Sequence, residues 1–229
     1  MKVVNFKRGL FALTPNKGVK LSESAITAAV KRSGFTPVKI VSPGGKSSQP
    51  DSGKNGKATG EKLSLGEVGK LLVPARAAFR KRDFQQAVKL ARQIVVRVAG
   101  NVRNRHADRV DPAGSDAFQF LSLAEFAAGN YDAAATAAHL ALHRGSPWHW
   151  KRLSSHYQQT DRYSAQLRAL ETSTRKKPTA DKRFLIGYHY LMLGHRKAAR
   201  GQFQKAADKN PDNPLISKLL RKLNEGKNR

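Results

Sequence analysis

The feature that most constrains this chain is a spacing. Residues 183–211 read RFLIGYHYLMLGHRKAARGQFQKAADKNP. In this stretch Gly187 and Ala199 are small where two antiparallel helices would cross closely. Tyr190 and Phe203 are bulky enough to fill the space between neighbouring helices. Gly194 permits a tight turn between the helices, and Pro211 starts the next helix or ends the last one. Comparable stretches open at Phe118 and Trp150. From Phe118 to Trp150 is 32 residues, and from Trp150 to Arg183 is 33. Two near-equal intervals of this length point to an internal repeat.

The residues themselves resemble the tetratricopeptide repeat, a helix–turn–helix unit of about 34 residues with the pattern W-x2-L-G-x2-Y, A-x3-F, P. Ile186, Gly187 and Tyr190 match L-G-x2-Y, Ala199 and Phe203 match A-x3-F, and Pro211 closes the unit. Ala206 supplies the small contact on the second helix, and Arg183 stands in the tryptophan slot. A unit before it carries Trp150, Leu153, Tyr157, Tyr163, Leu170 and Pro178. The one before that carries Phe118, Leu121, Gly129, Tyr131, Ala134 and Ala141. A looser unit, LLVPARAAFRKRDFQQAVKLARQIV, has Phe84 and Ala87 at its turn. Pro74 inside its first helix costs about 3 kcal/mol unless it sits at a kink. VAGNVRNRHADRVDPAG then reads as an inserted loop, and Leu215, Leu219 and Leu223 face inward from a capping helix.

The resemblance implies a mainly α fold: a tetratricopeptide-like solenoid of about four units with a C-terminal cap over residues 63–229. It implies a binding role in a groove lined by the first helix of each unit, with no catalysis and no cofactor. The groove positions are Arg76 and Arg80 from the first unit, and Gln119, Leu123 and Phe126 from the second. The third contributes Lys151, Arg152, Ser155 and Gln158, and the fourth Tyr188 and Leu191. Some members clamp a partner's terminal carboxylate with such lysines and arginines. The asparagines of that clamp are missing, so the implied partner is an acidic or amphipathic peptide or protein.

Charge allows a second reading. The net charge is +27 and the pI near 10.9, which attracts polyanions. The basic clusters VKRSG, FRKRD, NVRNRH, TRKKP and LRKLNEGKNR are spread along the whole chain. A dedicated nucleic-acid domain concentrates such clusters among aromatics, so the spread fits a general basic bias, with non-specific nucleic-acid or ribonucleoprotein binding as the alternative function.

Catalytic patterns are poor. The chain has no cysteine, which removes disulfides, thiolate metal sites and thiol catalysis. His139 and His143 lie four apart on one helical face, a spacing that chelates metals, but a third ligand and the HExxH glutamate are missing. His149, His156, His189 and His195 are scattered, and PGGKSSQPDSGKNGK lacks the phosphate-loop spacing. The expectation is therefore a non-enzyme without metal or cofactor. Lys7 and Arg8 interrupt the apolar N-terminus where a secretory signal needs continuity, and no run reaches the length of a membrane span, which points to the cytoplasm.

The N-terminus differs in character. Residues 1–42 read as a small β-β-α-β segment: KVVNF and LFALT around Gly9, a helix in SESAITAAVKRSGF, then the strand TPVKIV. The order resembles the C-terminal half of a heavy-metal-associated ferredoxin-like domain, without its cysteine pair, so metal transfer does not follow. Half a domain leaves an open sheet edge, which must pack on the rest of the chain or on a second copy, the latter giving a homo-oligomer. Residues 43–62 are rich in Gly, Ser, Pro and Lys and read as a disordered linker.

Overall fold

The structure is a computed structural model and describes residues 2–7, 10–14, 63–100 and 111–225. The chain divides into two units, Met1–Glu61 and Lys62–Arg229. In the first, strand β1 (Lys2–Lys7) pairs antiparallel with β2 (Leu10–Thr14), with Lys7 opposite Leu10 and a register irregularity between Val3 and Asn5. The expected helix, third strand and linker lie outside the described residues.

The second unit is helical throughout its described residues. In chain order it forms α1 (Leu65–Leu71), α2 (Val73–Arg80), α3 (Phe84–Gly100), α4 (Pro112–Ala127) and α5 (Tyr131–Arg144). There follow α6 (Trp150–Ser154), α7 (Thr160–Lys176), α8 (Ala180–Met192), α9 (Arg196–Ala207) and α10 (Pro214–Glu225). Pro74 falls in the first turn of α2, where its missing N–H goes unmissed, so the anticipated kink is the break between α1 and α2. Ser64 caps α1 reciprocally: its hydroxyl accepts from the Glu67 N–H at 3.2 Å while Glu67 Oε2 accepts from the Ser64 N–H at 2.7 Å. Leu215, Ile216, Leu219 and Leu223 of α10 turn inward as the leucine spacing predicts.

Hairpins α2–α3, α4–α5 and α8–α9 share one turn. After α4, the Gly129 N–H donates to Phe126 O (3.0 Å) and the Asn130 N–H to Glu125 O (2.9 Å). After α8, the Gly194 N–H donates to Leu191 O (3.1 Å) and the His195 N–H to Tyr190 O (2.8 Å). After α2 the same pair of bonds runs from Arg82 to Phe79 O and from Asp83 to Ala78 O, both 3.0 Å. The chain reverses only if the first residue of each pair is left-handed: φ is +81° at Gly129 and Gly194 and +69° at Arg82. An arginine there carries a Cβ clash that glycine avoids.

The third hairpin departs from the sequence expectation. Its first helix, α6, ends after five residues. The Ser154 and Ser155 hydroxyls donate back to Lys151 O and Arg152 O, and Ser, His and Tyr follow, all weak helix formers. Trp150, assigned to a packing slot, is 37% exposed, whereas Trp148 just before the helix is buried. With α6 so short, α5 packs directly on α8, and α10 reaches α5 as well as α9. There the Asn213 amide donates to His139 Nε2 at 2.9 Å, while its oxygen accepts from the Leu215 and Ile216 N–H groups at the start of α10.

Gly187 and Ala199 sit where α8 and α9 meet. A Cβ on Gly187 would lie 2.8 Å from Phe203 Cε1 and 3.2 Å from Ala199 O. Phe203 is fully buried and its ring cannot swing away. Gly187→Ala therefore gains about 1 kcal/mol of helix propensity but loses about 1–3 kcal/mol to overpacking. The expected outcome is a lower urea midpoint, recovered by adding Phe203→Leu. Arg82→Gly removes the left-handed penalty and is expected to raise the unfolding free energy by about 1 kcal/mol, read from the same titration.

Candidate functional site

Helix α4 is the middle of the helical unit. Its sequence, PAGSDAFQFLSLAEFA, is apolar on every side, and all residues from Ala113 to Phe126 are buried. Five of the buried residues are polar, and each finds a partner. Ser115 Oγ donates to Ala141 O (3.1 Å), and Ser122 Oγ donates to Ala134 O (2.9 Å). Gln119 Nε2 donates to Ser115 Oγ and to Ser146 O, while its oxygen accepts from the Trp148 N–H (2.6 Å) and the Tyr188 hydroxyl (3.1 Å). Glu125 takes both Nε and Nη2 of Arg92 (2.8 and 2.6 Å) on one oxygen and the Asn130 amide on the other. Asp116 accepts from Trp148 Nε1 (3.0 Å), from Arg76 Nη2 (3.4 Å) and from Arg152 Nη2.

These placements divide the residues expected to line a groove. Gln119, Leu123, Phe126 and Tyr188 are 1–3% exposed and belong to the interior. That corrects the groove assignment for these four. The physical cause is that α1, α3, α5 and α7 surround α4, while α8, packed on α5, brings Tyr188 to Gln119 and His189 to Phe126. Leu191 is half-buried beside this core. Arg80, Lys151, Arg152, Ser155 and Gln158 are exposed, and Arg76 is half-exposed. Asp116 gathers Arg76 of α2 and Arg152 of α6 to one place, and the Arg152 guanidinium lies over the Trp148 ring at 5.4 Å.

Next to this pair is a recess that the sequence did not reveal. It is shallow and open to solvent, with a cavity volume of only about 20 Å³, between the end of α2, the turn after it, and the segment joining α6 to α7. Its walls include Arg80, Arg82, Arg162, His156, Phe79 and Tyr157. His156 is 6% exposed, stacked on Trp148 with ring centres 4.9 Å apart and edge-on to Phe120. Its Nε2 has no partner, nor does Arg76 Nε. Burial, and then the charges of Arg76, Arg152 and Arg80, push the His156 pKa down to about 3.

A second buried histidine lies deeper. His189 is packed against Phe126 at 4.0 Å between ring centres, and its Nδ1 is 3.1 Å from the Tyr163 hydroxyl. Burial lowers its pKa to about 3. His139 is engaged by Asn213, and among the described residues no group of three ligating side chains is assembled. No described helix is long and apolar enough to cross a membrane.

His156 and His189, the most strongly depressed histidines, lead the acid limb of stability, and burial lowers His139 and His143 in the same direction. Each of the first two is neutral when folded and regains its ordinary pKa of 6.5 on unfolding, so the unfolded chain binds more protons below that pH. The stability they contribute is complete above pH 6.5 and is lost as pH falls towards 3. On the order of 2 kcal/mol per histidine disappears between pH 7.5 and 5. Urea titrations across that range are expected to show this loss, and His189→Gln to reduce its slope.

Comparison of the chain with known protein families, with curated proteins and with solved structures returns no match.

Proposed function

We propose that this chain is a non-enzymatic interaction protein, a tetratricopeptide-like helical array that holds an acidic segment of a partner protein against its α2–α6 face. One observation carries the reading. Arg80, Arg82 and Arg162 line a single recess, and Arg76 and Arg152, gathered by Asp116, lie beside the His156 that forms part of its wall. Lys151, Ser155 and Gln158 extend the same segment with exposed polar groups. Guanidinium groups pair with carboxylates in bidentate fashion, so a run of Asp or Glu on a partner suits this surface. The repeat resemblance supports the reading through the shared turn of three hairpins and the close α8–α9 crossing at Gly187.

The buried positions alter how the reading is tested. Phe126→Ala and Tyr188→Ala would hollow the core, with a cost of about 3–5 kcal/mol, and report on folding rather than binding. Exposed cations are the correct probes. A fluorescent Glu-rich peptide is expected to bind the full chain, and Arg80→Ala to weaken it roughly tenfold, measured by anisotropy. A charge-driven nucleic-acid binder behaves otherwise. It loses about 10³–10⁵ in affinity for duplex DNA between 50 and 200 mM salt and is indifferent to any one surface arginine. Peptide binding that Arg80→Ala leaves unchanged would overturn the face assigned here.

A further inference from the structure

The recess holds more positive charge than the acidic-partner reading requires. Arg80, Arg82 and Arg162 all line it, and no carboxylate does. Among the described residues none of the three forms an ion pair; Arg162 Nε donates only to Gln159 Oε1, at 3.3 Å. Like charges placed together without a counter-charge repel one another, and an anion relieves that repulsion.

Two further observations point to a ligand. His156 is more than nine-tenths buried, lines the recess, and has an unpartnered Nε2. An unpaired buried nitrogen is costly, and in one tautomer this one is an N–H donor without an acceptor. The second observation is the backbone of Arg82. The equivalent turns after α4 and α8 carry glycine at the left-handed position, whereas this one carries an arginine at φ +69° whose side chain lines the recess. Backbone strain of this kind clusters at ligand sites.

We propose that the recess of Arg80, Arg82, Arg162 and His156 binds a phosphate monoester carried on a side chain of the partner segment. The inference rests on the acidic-partner reading and sharpens it. A carboxylate offers two oxygens and one negative charge, which a single bidentate guanidinium satisfies. A phosphate monoester brings a charge of about −1.5 to −2 and three acceptor oxygens, which suit three guanidiniums and an imidazole N–H.

The experiment uses the full chain and one Glu-rich peptide in three forms, with Ser, Asp or phosphoserine at its centre, read by anisotropy. The phosphoserine form is expected to bind roughly tenfold or more tightly than the other two. Inorganic phosphate should displace it preferentially. Arg82→Gly and Arg162→Gln should each abolish the preference, while Arg175→Gln, on the last turn of α7, retains it. Arg82→Gly is the decisive variant, because it removes a guanidinium while relaxing the turn, so a loss of binding cannot be a loss of fold. Equal binding of all three forms overturns the proposal and leaves the acidic-partner reading standing. Binding of none overturns both. A 5′-phosphorylated oligonucleotide that displaces the peptide more effectively than inorganic phosphate, and loses this ability in the same two variants, overturns the assignment to a protein side chain.

Discussion

Helix α4 is wrapped on all sides, and the rest of the helical unit follows from satisfying it. Its apolar residues demand neighbours in every direction, which α1, α3, α5 and α7 supply. Its five buried polar residues demand particular neighbours. Gln119 fixes the backbone at Trp148 and the Tyr188 hydroxyl, so it ties the α5–α6 connection to α8. Asp116 ties α2 to α6 through two arginines, and Glu125 ties α3 to the α4–α5 turn through Arg92 and Asn130. Apolar packing alone tolerates sliding, whereas hydrogen bonds to buried polar groups carry a penalty if any register slips.

The use of acid groups inside the protein bears on its outer surface. The chain has 16 acidic residues against 43 basic ones. Asp116 and Glu125 are buried and matched to arginines; Glu67 closes the α1 cap, Asp83 bonds the Gln86 N–H at the start of α3, and Glu171 accepts from the Tyr190 hydroxyl. Structural duties thus occupy several of the few carboxylates, and the remaining surface is more one-sided than the composition suggests. Such a field speeds encounter with any polyanion and leaves discrimination to local geometry.

Much of the helical part was legible because local chemistry set it. Gly129 and Gly194 announced their turns, Gly187 with Ala199 announced a close crossing, and the leucines of α10 announced an inward face. What stayed hidden depended on partners far along the chain. Trp150 was given the tryptophan slot by count, yet it is Trp148 that bonds Asp116 and Gln119. Phe126 and Tyr188 occupied groove positions by count, and their burial depends on the helices that surround α4 and on α8 packing against α5, which the brevity of α6 permits. Arg82 gave no sign of a left-handed turn, since arginine has no preference for one. The recess was illegible for the same reason: Arg80, Arg82, His156 and Arg162 come from segments that only the tertiary fold brings together.

The contact between α5 and α8 also bears on how the protein folds. In a linear array each unit touches only the next, so stability is a sum of neighbour terms and a unit can be removed from the middle. Here the second and fourth hairpins meet directly, and α10 returns to α5. Closing that contact requires the intervening segment to loop out first, an entropic cost that nearest-neighbour stacking avoids. The hairpins are therefore mutually dependent. Melting of α8 strips one side of α5 and the Tyr188 partner of Gln119 together, which makes loss of structure from residue 111 onward a concerted event rather than a fraying from one end.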